Sequence, residues 1–353
     1  MSEEESMRGR RAMEIGESIR AKAKSGKTGA LSMKKKALNS IPQITIYALS
    51  AISIAVIAFI FVFVFVRAYP AMKTSGLAMV TTGGFDRQIQ QAFYSSDADP
   101  MLNFGMLGLI TGTLATTLSA LLFATLMGIG ASIIICEYAR GAVSRGLIAV
   151  VRLLAAVPSV VYGLIGIIAV VPLVERMFVT VEKQIEYLGY FQMSGRSLLS
   201  ASIVLTFMIA PTVISLSVDA IRAVPHTYKE TGYAFGMSKF RVIYKIILPC
   251  ARSGITAAVI LGAGRGIGEA IAVSMVCGGI GFLPKASLGL TNFLAPTLPL
   301  APAIINKSEA MGSVAVESAL FSCGAILLLI GAFLSIGAKA VEKRMRRQAG
   351  YAE

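Results

Sequence analysis

Arg265 and Glu269 are charged residues that fall well inside a long apolar run, four positions apart in Gly264-Arg265-Gly266-Ile267-Gly268-Glu269. A charge at the centre of a bilayer costs roughly 2.5–3.5 kcal/mol on insertion scales, so such residues face a bundle interior or an aqueous cavity. On a helix, the i, i+4 spacing places both on one face. The chemistry this offers is the handling of an anion. A guanidinium presents a planar fork of donors to oxyanions. Glu269 would repel an anion, so it is better suited to hold the guanidinium and limit its affinity. A station that a solute must leave needs that restraint. The competing reading is a structural pair that neutralises itself inside the bundle. Ser159, Tyr162 and Thr212 are polar residues of neighbouring runs, and the sequence does not rank them as further liners.

Other constellations offer less. Cys136, Cys250, Cys277 and Cys323 form no CxxC pair, and His226 is the only histidine. Neither a zinc site nor a disulfide framework is expected from such spacing. Ala21-x4-Gly26-Lys27-Thr28 matches a phosphate-binding loop loosely, but it lies in a polar tail without the strand and helix that aim backbone N–H groups at phosphate. Nucleotide hydrolysis is therefore expected on another chain. Asn306-Lys307-Ser308 is a short glycosylation sequon of a kind that often arises by chance. Gly262, Gly264, Gly266 and Gly268 contain two GxxxG spacings, which favour close helix packing.

The elements that must position these residues follow from the distribution of apolar side chains. Of 353 residues, 55% are apolar and only 15% charged, and the mean hydropathy is +0.72. Soluble chains carry roughly 25% charged residues, so an ordinary cytosolic enzyme and a disordered chain are both excluded. Six apolar runs, Ile44–Val66, Leu107–Ile135, Ile148–Val174, Leu198–Val218, Ile255–Ile280 and Glu317–Ala338, can cross the hydrocarbon as helices. None shows strand-like alternation at barrel spacing, which predicts an all-α polytopic membrane protein. The first run is long enough to stay as an anchor instead of being cleaved as a signal. Pro158, Pro172 and Pro211 are expected to bend or break the runs that hold them.

The net charge of +14 is topological in origin. Lys and Arg number 24 across the two termini and the loops 136–154 and 219–254, against 8 in the loops 67–104, 175–197 and 281–316. This bias places both termini in the cytoplasm. No basic surface interleaved with aromatics is present, so nucleic acid is not an expected partner. The resulting organisation is a basic cytoplasmic tail (1–43), a first transmembrane helix (44–66), an extracytoplasmic loop (67–104), a transmembrane core (105–340) and a basic cytoplasmic tail (341–353).

Within the core, the cytoplasmic loop 226–249 is the most informative stretch. Two helix-compatible pieces, about 226–235 and 238–247, meet at Gly236, a residue able to take the left-handed cap conformation. Pro249 is expected to close the second piece. Tyr228, Phe235, Phe240, Ile243 and Ile247 make the pair partly apolar, so a compact protrusion is expected here and not a slack connector.

Glu230-Thr231-Gly232, three residues, Gly236, nine residues and then Ile246-Ile247-Leu248-Pro249 resembles the EAA loop of ABC-importer permeases, with Thr231-Gly232 replacing the two alanines of EAA-x3-G-x9-I-x-L-P. Ala156-Val157-Pro158-Ser159-Val160-Val161-Tyr162-Gly163 and Gly264-Arg265-Gly266-Ile267-Gly268-Glu269-Ala270-Ile271-Ala272-Val273 are similar to stretches of phosphate permeases, of the PstC type more than the PstA type. Gly266-Ile267 and Ala270-Ile271 stand where that subfamily commonly has Ala-Leu and Thr-Met. The likeness covers about Phe104 to Lys343 and leaves residues 1–40 unexplained.

The resemblance implies a six-helix transmembrane domain of the type I ABC-importer (MetI-like) kind in the inner membrane of a prokaryote. It implies no cofactor in this chain, with ATP and Mg bound by a partner ATPase. The implied partners are a PstA-type permease, a PstB-type ATPase dimer, an extracytoplasmic phosphate-binding protein, inorganic phosphate and membrane lipid. Glu230, Thr231, Gly232, Gly236, Ile246, Leu248 and Pro249 would form the loop that couples to the ATPase, and Arg265 and Glu269 would lie on the path. Three other readings stay open: an importer of another oxyanion (sulfate or molybdate), a proton-coupled secondary transporter, and a membrane scaffold. A secondary transporter predicts inverted repeats and several intramembrane acids, whereas one well-buried acid, Glu269, is present.

Overall fold

A computed structural model describes residues 45–95 and 101–348, so the 1–43 tail with its Gly26-Lys27-Thr28 stretch lies outside the described residues. Six described helices are long and apolar enough to cross a membrane: Thr45–Ser75, Leu107–Tyr138, Ser159–Phe178, Leu198–Arg222, Lys239–Ile267 and Val314–Lys343. They are called the first to sixth spans below. The described residues contain no β-strand, only a single bridge between Gly278 and Thr297. The chain divides into two units, Met1–Val62 and Phe63–Glu353. In the first, residues 45–62 are helical, and the description that follows concerns the second.

Proline decides where these helices differ from the hydropathy runs. The run 148–174 is not one helix. Ala142–Ala155 is a separate amphipathic helix, and Pro158 caps the start of the third span. Pro172 stays inside that span because a wide turn, Gly166–Val170, precedes it. Pro249 likewise does not close the second piece of the cytoplasmic loop. Its stretch follows the wide turn Ile243–Ile247 and continues into the fifth span. Wide turns with i→i+5 bonds redirect the preceding carbonyls, so the absent N–H of proline interrupts no regular ladder. Pro211 sits inside the continuous fourth span.

The fifth span also ends sooner than its run, at Ile267 instead of Ile280. Glycine is a poor helix former, and here the Glu269 carboxylate accepts the Ala272 N–H at 3.0 Å, starting a new short helix, Ile271–Val276.

The fourth span is the most enclosed of the six. Its Leu205, Met208, Ile209 and Val213 pack with Ala120 and Ala124 of the second span in one buried cluster. Hydroxyls add to this seam: Ser119 and Ser202 lie 2.7 Å apart, and Thr206 donates to the Ala120 carbonyl at 3.4 Å. Small residues and interhelical hydrogen bonds are what hold helices together in lipid, where burial of apolar surface gives no preference.

The connections at the two ends of the bundle are folded. At one end, Phe85, Ile89, Phe104 and Met106 form a core with Leu298, Leu300, Val316 and Leu320. Asp86 ties two connections together there, accepting the Gly281 N–H at 2.7 Å and pairing with Lys307 at 2.8 Å. At the opposite end, helix Ala142–Ala155 packs Ile148 against Ile135 and Val218, and Arg222 donates to Ser144 Oγ at 3.0 Å. The hairpin formed by His226–Ala234 and Lys239–Val242 lies at this second end.

Candidate functional site

The hairpin starts at Pro225, which caps helix His226–Ala234. Gly236 then turns the chain with φ +71°, a conformation that costs other L-residues about 1–2 kcal/mol. The Met237 N–H returns to the Gly232 carbonyl at 3.2 Å, which closes the turn. Gly232 is where the helix crosses the root of the fifth span. A Cβ at that position would lie 2.6 Å from Ile246 Cδ1 and 3.1 Å from Val242. The glycine that replaces alanine in the loop pattern thus lets the helix approach closely, and an alanine there would oblige the end of the Ile246 side chain to move. Ile243 and Ile247 are buried beneath the hairpin with Val242.

The other loop residues face outward. Glu230, Thr231 and Pro249 are exposed, Leu248 and Ile246 half-buried. The Thr231 hydroxyl is satisfied locally by the Thr227 carbonyl. Tyr228, Phe235 and Phe240 are exposed too, Phe235 at 82%, and Phe240 stacks on Tyr244 with centroids 6.1 Å apart. The protrusion thus presents an outer surface of exposed aromatics with Glu230 among them, over an aliphatic root.

Glu137, at the end of the second span, was not singled out by sequence reasoning, although it is the only acid in the basic loop 136–154. Its carboxylate pairs with Lys229 of the hairpin helix at 2.5 Å, with both side chains largely enclosed. Its backbone carbonyl accepts from Lys239 at 2.6 Å, and Lys239 stands 4.1 Å over the Tyr138 ring. Both arms of the hairpin are therefore pinned to one residue.

Arg265 and Glu269 do not form the expected pair. The helix ends between them, and Glu269 is engaged with the Ala272 N–H. Among the described residues no acid lies within ion-pair distance of Arg265. Its guanidinium is half-buried and donates one bond, 3.1 Å long, to Thr212 Oγ1 of the fourth span. Of the three polar residues the sequence left unranked, Thr212 is the one hydrogen-bonded to Arg265, while Tyr162 lies within reach of the Arg265 charge and donates its hydroxyl to the Leu154 carbonyl. The glycines divide in the same place. A Cβ at Gly262 or Gly266 would lie 2.9 Å from Ile209, so these two pack, whereas Gly264 meets nothing within 4 Å and Gly264 and Gly268 are exposed. The open side of the fifth span thus carries a guanidinium beside bare backbone, a surface suited to an anion. Among the described residues no three His, Cys, Asp or Glu side chains cluster as metal ligands would.

Residues 124–347 match the family model described as "Binding-protein-dependent transport system inner membrane component". The chain is 33% identical to "Probable ABC transporter permease protein YqgH" of Bacillus subtilis, over 67% of this chain and 70% of that one. It is 30% identical to "Phosphate transport system permease protein PstC" of Xylella fastidiosa, over 79% and 87%, and 32% identical to "Phosphate transport system permease protein PstC 2" of Mycobacterium tuberculosis, over 65% and 74%. Among solved structures, the MetNI methionine ABC transporter in an inward facing conformation superposes with a TM-score of 0.50 at 15% identity, covering 68% of this chain and 95% of that one. A bacterial alginate ABC transporter, in complex with its alginate pentasaccharide-bound periplasmic protein, gives 0.50 at 16% identity, over 85% and 95%. At these identities the two structures speak for the fold alone.

Proposed function

The chain belongs to the binding-protein-dependent transport system inner membrane component family, and from that premise we propose that it is the permease subunit of an ATP-driven importer of inorganic phosphate. As a family member with six apolar helices it is a multi-pass inner-membrane ABC permease. The finer reading adds the solute and the partners: a PstA-type permease sharing the path, a PstB-type ATPase dimer holding ATP and Mg beneath it, and a phosphate-binding protein delivering solute from outside. The end bearing the hairpin faces the cytoplasm with both termini, as the excess of Lys and Arg there favours.

The observation that carries the solute reading is Arg265. It is a half-buried guanidinium in a spanning helix, oriented by a neutral hydroxyl and left without a carboxylate. Such a cation attracts an oxyanion more strongly than a neutralised pair would, and one held by a single hydrogen bond can release what it binds. Glu269 acts at one remove, by starting the short helix Ile271–Val276 that follows the guanidinium's own. In this reading ATP-driven closure of the ATPases presses on the hairpin through Glu230, Thr231 and the exposed aromatics, and the spans rooted in it re-orient the path.

The test is phosphate uptake by vesicles holding the complex purified through this chain, with sulfate as competitor. ATP-dependent uptake that excess sulfate leaves intact, and that Arg265→Gln abolishes without loss of assembly, is the expected result. Sulfate or molybdate competing as equals would replace the solute. Uptake driven by a proton gradient without ATP would refute the importer reading.

A further inference from the structure

By chain connectivity the hairpin joins the fourth and fifth spans. The side chains join it to a third. Glu137 belongs to the last, wide turn of the second span, Ile134–Tyr138, and is held by Lys229 from one arm of the hairpin and by Lys239 from the other. The remaining ion pairs described, Arg67–Glu317, Arg152–Asp219 and Lys307–Asp86, are all more exposed than Glu137–Lys229. An enclosed pair is screened little by salt and holds its partners at a fixed separation.

The second span also reaches inward to the Arg265 segment. Twenty residues from Glu137, roughly 30 Å along a helix, Thr117 Cγ2 lies 3.2 Å from where a Cβ of Gly266 would be, next to Arg265. Leu121 of the same span lies 3.8 Å from the corresponding position at Gly262. The second span therefore touches the hairpin at its end and the Arg265 segment along its length.

We propose that Glu137 is a positioning residue for energy coupling: through its contact with Lys229, movement of the hairpin is transmitted to the second span and so to the helix carrying Arg265. This rests on the transport reading above. The contact is electrostatic and enclosed, so removing either charge slackens the link while leaving the outer surface of the hairpin, Glu230 included, intact for its partner.

The experiment is a double-mutant cycle in the reconstituted complex, with Glu137→Gln, Lys229→Met and the double variant compared with wild type for solute uptake and ATP hydrolysis together. Each single variant is expected to assemble, to hydrolyse ATP and to lower uptake per ATP roughly ten-fold, within the usual range for a coupling free energy. The double variant is expected to be no worse than either single, because both remove the same contact. Lys229→Met changes only the hairpin side and serves if Glu137→Gln assembles poorly. Wild-type ratios in the single variants, or losses that multiply in the double, would overturn the proposal while the importer reading stands. A wild-type complex without ATP-dependent uptake would overturn both.

Discussion

At the scale of single residues, Thr212 is the side chain whose role follows most directly from contact. It holds the Arg265 guanidinium through one hydroxyl. Valine has nearly the shape of threonine but cannot accept that bond, and a hydrogen bond to a charged group contributes about 1.5–3 kcal/mol. Thr212→Val is therefore expected to raise the solute concentration for half-maximal uptake roughly ten-fold, and Thr212→Ser to restore it. Uptake measured over a range of phosphate concentrations separates the two, and equal curves for Val and Ser would remove the hydroxyl from the mechanism. The sequence exposed the chemistry of Arg265 but misassigned its company. The i, i+4 rule assumes an unbroken helix, and the one carrying Arg265 ends at Ile267, before Glu269.

At the scale of elements, glycine spacing and proline placement decide how the spans meet. A Cβ at Gly266 would lie 2.9 Å from the end of the Ile209 side chain and 3.2 Å from Thr117, so anything larger than a methyl must displace its neighbours, whereas Gly264 faces open space. Gly266→Leu is expected to force the fourth and fifth spans apart at a cost of about 1–3 kcal/mol. Gly264→Ala is expected to be neutral or to stabilise by up to about 1 kcal/mol through helix propensity. Thermal unfolding of the purified protein tests the contrast, and a lower midpoint for Gly264→Ala than for Gly266→Leu would reverse the assignment of faces. Both glycines look alike in a GxxxG pattern, so only the neighbouring helix tells them apart. Pro158 breaks its helix while Pro172 and Pro249 do not, because wide turns precede the last two. No residue in those turns announces the extra width.

At the scale of the whole molecule, the two ends of the bundle are built for different tasks. One is a closed cap with a large buried core, the other a small hairpin with exposed aromatics and Glu230 on its outer side. If an ATPase docks there, Glu230→Lys reverses a charge on the docking surface without touching the aliphatic root. The expected outcome is loss of the ATPase from the purified complex with normal insertion of the permease, measured by co-purification. Full retention would place the docking surface elsewhere.

The sequence alone determined the class of the molecule, the number of spans, the hairpin with its turn at Gly236, and the presence of a cation inside the membrane. These are local properties. Each span is solvated by lipid on its own, so length and polarity within about 20 residues suffice to specify it. The tertiary structure decided which groups meet. Arg265 finds Thr212 across 53 positions, Glu137 finds Lys229 across 92, and the former connections close into a cap. Such meetings depend on how helices far apart in the chain pack against one another, and a pattern read within one helix carries no record of its neighbour.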